Sequence, residues 1–178
     1  TARANIQPFL EVHLIDGDPE THWCCRGQTR ADVEQAWARI DLPKETVVRS
    51  MAIVPREDLQ GFPRHLCVRV SRDGCNWDTV YESRNTTPPT DSQPIEFSFG
   101  PRPVKQVWII GRDLPMTNFG LHAFSISGIQ VIDIGGENIA LHSRAAGVIA
   151  SSFEPWIACY RESHQWLWAA HYDLGTKW

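Results

Sequence analysis

Two stretches of this sequence gather residue types able to do chemistry. The first is Asp16-Gly17-Asp18-Pro19-Glu20-Thr21, where carboxylates, a hydroxyl and turned-in carbonyls crowd one short turn. Hard Ca²⁺ takes oxygen ligands of this kind at about 2.3–2.6 Å. The run lacks the loop length and terminal glutamate of an EF-hand. A plain turn, with Asp16 bonded to its own backbone, has the same composition. Both readings stand at the level of sequence.

The second is a pair of loops mixing arginine with aromatic residues. One carries Arg56-Glu57-Asp58 and then Phe62; the other carries Arg112-Asp113, Asn118-Phe119 and His122. Sugar recognition uses such mixtures, because a ring face stacks on the C–H patch and planar forks grip vicinal hydroxyls. Solvated loops with surface ion pairs would look alike. Trp23, directly after the oxygen-rich turn, reads either as core or as ligand contact. No G-x-S-x-G elbow, phosphate loop, G-x-G-x-x-G or H-E-x-x-H occurs. His164 and His171 have no nucleophile beside them.

These residues must be positioned by strands. WARIDL, VVRSMAIV, HLCVRVS, WDTVYES, IEFSF, VKQVWIIG and HAFSISGIQVIDI are short, rich in β-branched and aromatic residues, and often alternate in polarity. Turn formers separate them: Asp41-Leu42-Pro43, Arg72-Asp73-Gly74, Thr87-Pro88-Pro89-Thr90, Gly100-Pro101 and Gly111-Arg112-Asp113. Asp-Gly in the second of these predicts a hairpin. Strands at this spacing indicate an all-β sandwich or barrel, with Trp37, Trp77 and Trp108 packed into it. Residues 29–39, TRADVEQAWAR, fit a helix or a loop leading into a strand.

Composition narrows the function. The chain has 178 residues with a formal charge of −4, enough for one domain with an appendage. Its basic residues are spread out, and 14 of 17 are arginine, so nucleic acid is not an expected partner. No apolar run approaches the roughly 18 residues of a membrane-spanning helix, so a membrane is not expected either. The opening TARANIQPFL lacks the layout of an export signal. Cys24, Cys25, Cys67, Cys75 and Cys159 show no zinc or disulfide-scaffold spacing, and buried thiols are the expectation.

Taken in order, DGDPETHW, WARIDL, VVRSMAIVPRED, HLCVRVSRDGCNWDTVYES, KQVWIIG and FSISGIQVIDI resemble the discoidin or coagulation-factor type C domain, which includes the family 32 carbohydrate-binding modules. The resemblance covers roughly residues 10–134. It implies a galactose-binding-domain-like jelly-roll sandwich over 1–136, a glycan site on loops at one end, and a structural calcium on Asp16, Asp18 and Thr21. By position, Arg56 would grip sugar hydroxyls and Phe119 or a neighbour would stack. Three positions depart from the pattern: Gly128 replaces a closing glutamate, Cys24-Cys25 a histidine, and Gly61 an asparagine.

Residues 137–178 fall outside the sandwich pattern, and their end, YDLGTKW, resembles the entry to a glycoside hydrolase barrel. The expectation is a non-catalytic, secreted module that brings a covalently attached glycoside hydrolase to a polysaccharide. A discoidin domain for protein or cell-surface adhesion and a fragment of a glycoside hydrolase are the alternatives.

Overall fold

The computed structural model describes residues 10–25, 35–118 and 120–151, with two short strands at 158–159 and 167–168. Ten strands follow in chain order: β1 (Trp23–Cys24), β2 (Ala36–Val54), β3 (His65–Ser71), β4 (Asp78–Ser83), β5 (Ile95–Arg112), β6 (Ser125–Ile126), β7 (Gly128–Asp133), β8 (Gly147–Ala150), β9 (Ala158–Cys159) and β10 (Leu167–Trp168). The only helical turns among the described residues are two 3₁₀ segments, Glu11–Leu14 and His142–Arg144. The fold is the expected all-β sandwich.

Its frame is one long antiparallel ribbon of β2 and β5, broken in register between Asp41 and Thr46 and again between Val48 and Ser50. On one side of the breaks the strand order is β8-β2-β5-β3-β4; on the other, β2 has β5 and β7 as neighbours. The ribbon thus contributes an arm to each layer. Alternation buries Ala36, Ala38, Ile40, Val107, Ile109, Leu66 and Val68 on one arm and Met51, Ile53, Phe97, Ile129 and Val131 on the other, all within one core.

Three expected turns are corrected by this arrangement. Asp41-Leu42-Pro43 and Gly100-Pro101 do not reverse the chain but lie inside β2 and β5, at the irregularities of the ribbon. Proline lacks a donor for the ladder, and an irregularity is where a strand accepts it. Gly100 there has φ of +79°. Gly111 and Arg112 likewise belong to β5 rather than to a turn. The Arg72-Asp73-Gly74 turn between β3 and β4 is as expected. Its Asp73 carboxylate accepts from the backbone N–H of Cys75 and Asn76 and from the Asn76 amide, and these bonds hold its pKa well below the usual carboxylate range. Within TRADVEQAWAR, residues 36–39 are strand, and the part before residue 35 lies outside the described residues.

The boundary at residue 136 also moves. β8 completes the sheet beside β2, Ala140 and Ala146 lie in the core, and the His142 N–H donates to the Ile15 carbonyl. The sandwich therefore extends to about residue 151. Sequence did not show this because GVIA is too short and small in side chain to signal a strand.

Candidate functional site

Val54 and Arg112, the far ends of β2 and β5, are drawn to one pole by the loops that follow them. The Arg64 N–H donates to the Asp113 carbonyl (3.2 Å), Ser125 to Gly61 (2.9 Å), Ser127 to Val54 (2.9 Å) and Cys25 to Phe124 (2.9 Å). Sequence segments around residues 22, 56–61, 118 and 125 meet there.

Arg56 organises the pole. Its Nη2 donates to Asp58 Oδ2 (2.8 Å) and its Nη1 to Ser125 Oγ (3.3 Å). The Ser125 hydroxyl in turn donates to the buried Trp23 carbonyl (2.9 Å). Asp58 also accepts from the Gln60 backbone and side-chain amides (3.2 and 3.1 Å), and Gln60 Oε1 accepts from the Asn118 N–H (3.0 Å). A polar chain therefore crosses the pole from Ser125 through Arg56, Asp58 and Gln60 to Asn118. The guanidinium is partly exposed and Asp58 more so, so both keep hydrogen-bonding capacity toward solvent.

Gly61 lets this happen. Its φ is +80°, and a Cβ there would stand 2.7 Å from Ser125 Cβ and 2.9 Å from Ser125 N. Only a glycine admits such contact between the two loops.

His22 joins the cluster and was not singled out by sequence, where a lone histidine beside Trp23 carries no signal. Burial lowers its pKa to about 4, helped by the charges of Arg56 and His13 and opposed by Asp58. His13 Nδ1–H donates to the His22 carbonyl (3.0 Å). The imidazole is thus neutral above pH of about 4. An NMR titration should place its midpoint there rather than at the ordinary 6.5. Between these two values the unfolded chain binds the proton that the folded chain refuses, so stability falls as pH drops from 6.5 toward 4. Thermal unfolding of wild type and His22→Asn across that window should show the dependence weakened in the variant.

The other expected site residues are divided. Trp23 is fully buried, its ring edge-on to Phe124 with centroids 5.3 Å apart, and Phe62 is also buried. Both are corrected to core positions, because β1 pairs with β6 and turns Trp23 inward. Arg112 makes no hydrogen bond to the Arg56 cluster among the described residues and donates through Nε and Nη2 to Gln35 Oε1 (3.1 and 2.9 Å). His122 is half-buried, and its Nδ1–H donates to the Leu114 carbonyl (2.7 Å), shaping the loop that carries Asn118. Phe119 lies outside the described residues. Met116, on the same loop, is 64% exposed.

In the oxygen-rich turn, Thr21 Oγ1 lies 2.7 Å from Asp16 Oδ2 and 3.0 Å from the Asp18 carbonyl. Asp16 Oδ1 and Asp18 Oδ1 accept from the N–H groups of Asp18 and Glu20. Three oxygens of the type calcium takes thus converge, about half of the six to eight it needs. Among the described residues no three His, Cys, Asp or Glu side chains gather as a metal cluster. The turn fits part of a calcium shell, with main-chain carbonyls and water left to complete it.

A sequence profile of the F5/8 type C domain matches residues 10–114. No curated protein sequence matches the chain significantly. Several solved structures share the fold. A pectin-binding carbohydrate-binding module superimposes with a TM-score of 0.55 at 21% identity, over 71% of this chain and 81% of that one. A CBM32-3 module of a family 31 glycoside hydrolase from Clostridium perfringens gives 0.57 at 18%, over 72% and 82%. CpGH89CBM32-5 from the same organism, in complex with GalNAc-β-1,3-galactose, gives 0.54 at 17%, over 71% and 88%.

Proposed function

This chain belongs to the F5/8 type C domain family, and from that premise we propose that it is a non-catalytic carbohydrate-binding module with its glycan site at the Arg56 pole. The observation that carries the reading is the polar chain Ser125–Arg56–Asp58–Gln60–Asn118. It presents a pre-oriented guanidinium, a carboxylate and an amide at one surface, with neutral His22 nearby. Vicinal hydroxyls are both donors and acceptors, and this set offers partners for each. Because Asp58 and Gln60 already hold the loop, little ordering is left to oppose binding.

Affinity of such a small site is modest, and attachment to a glycoside hydrolase would make it useful through effective concentration at a polymer surface. The module acts outside the cell in this reading. An antibody to the chain should detect a larger secreted polypeptide in its native source; a free intracellular chain of this size would overturn the attachment and the location. Electrophoresis through native gels containing plant or microbial polysaccharides tests binding itself. Retardation by one polymer class is expected, with no turnover of that polymer by the isolated chain.

A structural calcium on Asp16, Asp18 and Thr21 belongs to the same proposal. Gly128 sits where a closing carboxylate could be restored. A Cβ there would meet Val54 Cγ2 at 3.6 Å and the carbonyl of Leu14, two residues before Asp16, at 3.8 Å, which is ordinary contact. Gly128→Glu should tighten calcium roughly tenfold by adding a charged ligand. The check is the rise in melting temperature on adding calcium over chelator, which should be larger in the variant than in wild type.

A further inference from the structure

We infer that the glycan taken at the Arg56 pole is an acidic one, whose carboxylates lie along a rim of Arg64, Arg84 and Arg112; this rests on Arg56 holding the first sugar. The rim is built from the loops that make the pole. Arg64 comes three residues after Gly61, whose carbonyl accepts from the Ser125 N–H. Arg112 opens the loop that carries Asn118 to Gln60. Arg64 ties the three segments together. Its N–H donates to the Asp113 carbonyl (3.2 Å), and its carbonyl accepts from the N–H of Thr86 (2.7 Å), two residues beyond Arg84. His65 and Arg112 are direct partners across β3 and β5, and Ser83, just before Arg84, pairs with Leu66. The three arginines therefore stand at the ends of three adjacent strands, β4, β3 and β5, whose backbones span about 10 Å.

Charge chooses the occupant. All three arginines are exposed, so a ligand can reach them. None has a carboxylate partner among the described residues, whereas Arg39, Arg72, Arg102 and Arg144 each have one. Arg49 and Arg69 also lack one, but they lie within β2 and β3, away from these strand ends. Of the carboxylates on the same three segments, Glu82 Oε1 lies 3.2 Å from His65 Nε2, which leaves Asp113. Its φ is +49°, a conformation aspartate tolerates better than most residues, so its type follows from the turn. Three like charges held side by side repel one another, although the whole chain carries −4. An anionic ligand relieves that repulsion. The planar guanidinium fork matches a carboxylate, and continuity with the hydroxyl-binding pole makes the carboxylate that of a sugar acid.

The test is isothermal titration of the full chain with oligogalacturonate and oligomannuronate, each beside its fully methyl-esterified form, which keeps the rings and loses the charge. The expected result is tighter binding of one acid or the other than of its ester, an advantage that added salt removes. A variant combining Arg64→Gln, Arg84→Gln and Arg112→Gln should bind that acid about tenfold more weakly, since three exposed contacts each add a modest factor. Its affinity for the ester should be unchanged, and a thermal scan shows that it is folded. No binding of either acid by the wild type, equal binding of acid and ester, or an acid preference kept by the variant would overturn the inference. So would equal affinity for single-stranded DNA or dextran sulfate, which would mark a general attraction for polyanions. Arg56→Ala separates the rim from the pole, because it should weaken acid and ester alike. If it weakened neither while the triple variant still lost the acid, the Arg56 site would fail and the rim would stand as a surface for acidic sugars.

Discussion

Arg56→Ala should weaken binding of the polysaccharide that retards the wild-type chain by roughly ten- to a hundredfold, because hydrogen bonds from a charged group are worth about 1.5–3 kcal/mol. The fold should hardly notice. Arg56 meets Ser125 at a long 3.3 Å and Asp58 in a partly exposed pair, contacts worth at most about 1 kcal/mol. For a domain of this size that is about 2–4 °C in melting temperature. Nor does the loop lose its shape, since Asp58 keeps both bonds from Gln60, and Gln60 keeps Asn118. Isothermal titration against a soluble oligosaccharide, beside a thermal scan, separates the two effects. Equal binding by the variant would remove the glycan site from this pole.

How much of this was legible depends on whether a residue's role is set locally. The oxygen-rich turn was readable because Asp16, Asp18 and Thr21 bond one another within six positions. Arg56 and Asp58 were readable for the same reason, being two residues apart and paired. Gln60 was not, since its role is a bond to Asn118 made across 58 positions. Trp23 was left open, because its burial is settled by Phe124 and the β1–β6 pairing, both distant in sequence, and Phe62 was placed at the site although it lies in the core. The longer strands were identified, yet the joining of four expected strands into one interrupted ribbon was not. Proline and glycine mark a turn and a strand irregularity with the same letters.

The same distinction between local and distant control governs the largest stability effect expected. Gly61→Ala combines two penalties. A non-glycine residue at φ of +80° costs roughly 1–2 kcal/mol in backbone strain. Forcing a methyl group to within 2.7 Å of Ser125 Cβ and 2.9 Å of its backbone nitrogen adds roughly 1–3 kcal/mol of overpacking. The neighbour cannot step aside as a flexible side chain would, because Ser125 belongs to β6 and its N–H is bonded to the Gly61 carbonyl at 2.9 Å. Gly100→Ala is the control: φ there is +79°, but nothing lies within 4 Å of the added Cβ. Urea unfolding of both variants isolates the overlap as the difference between them, expected near 1–3 kcal/mol. A difference of zero would mean that the two loops do not meet at Ser125. If they do meet, Gly61→Ala must also displace the hydroxyl that receives Arg56, and ligand binding falls with stability. The position where the family pattern carries an asparagine side chain then serves here through its backbone, by holding the acceptor that orients the arginine.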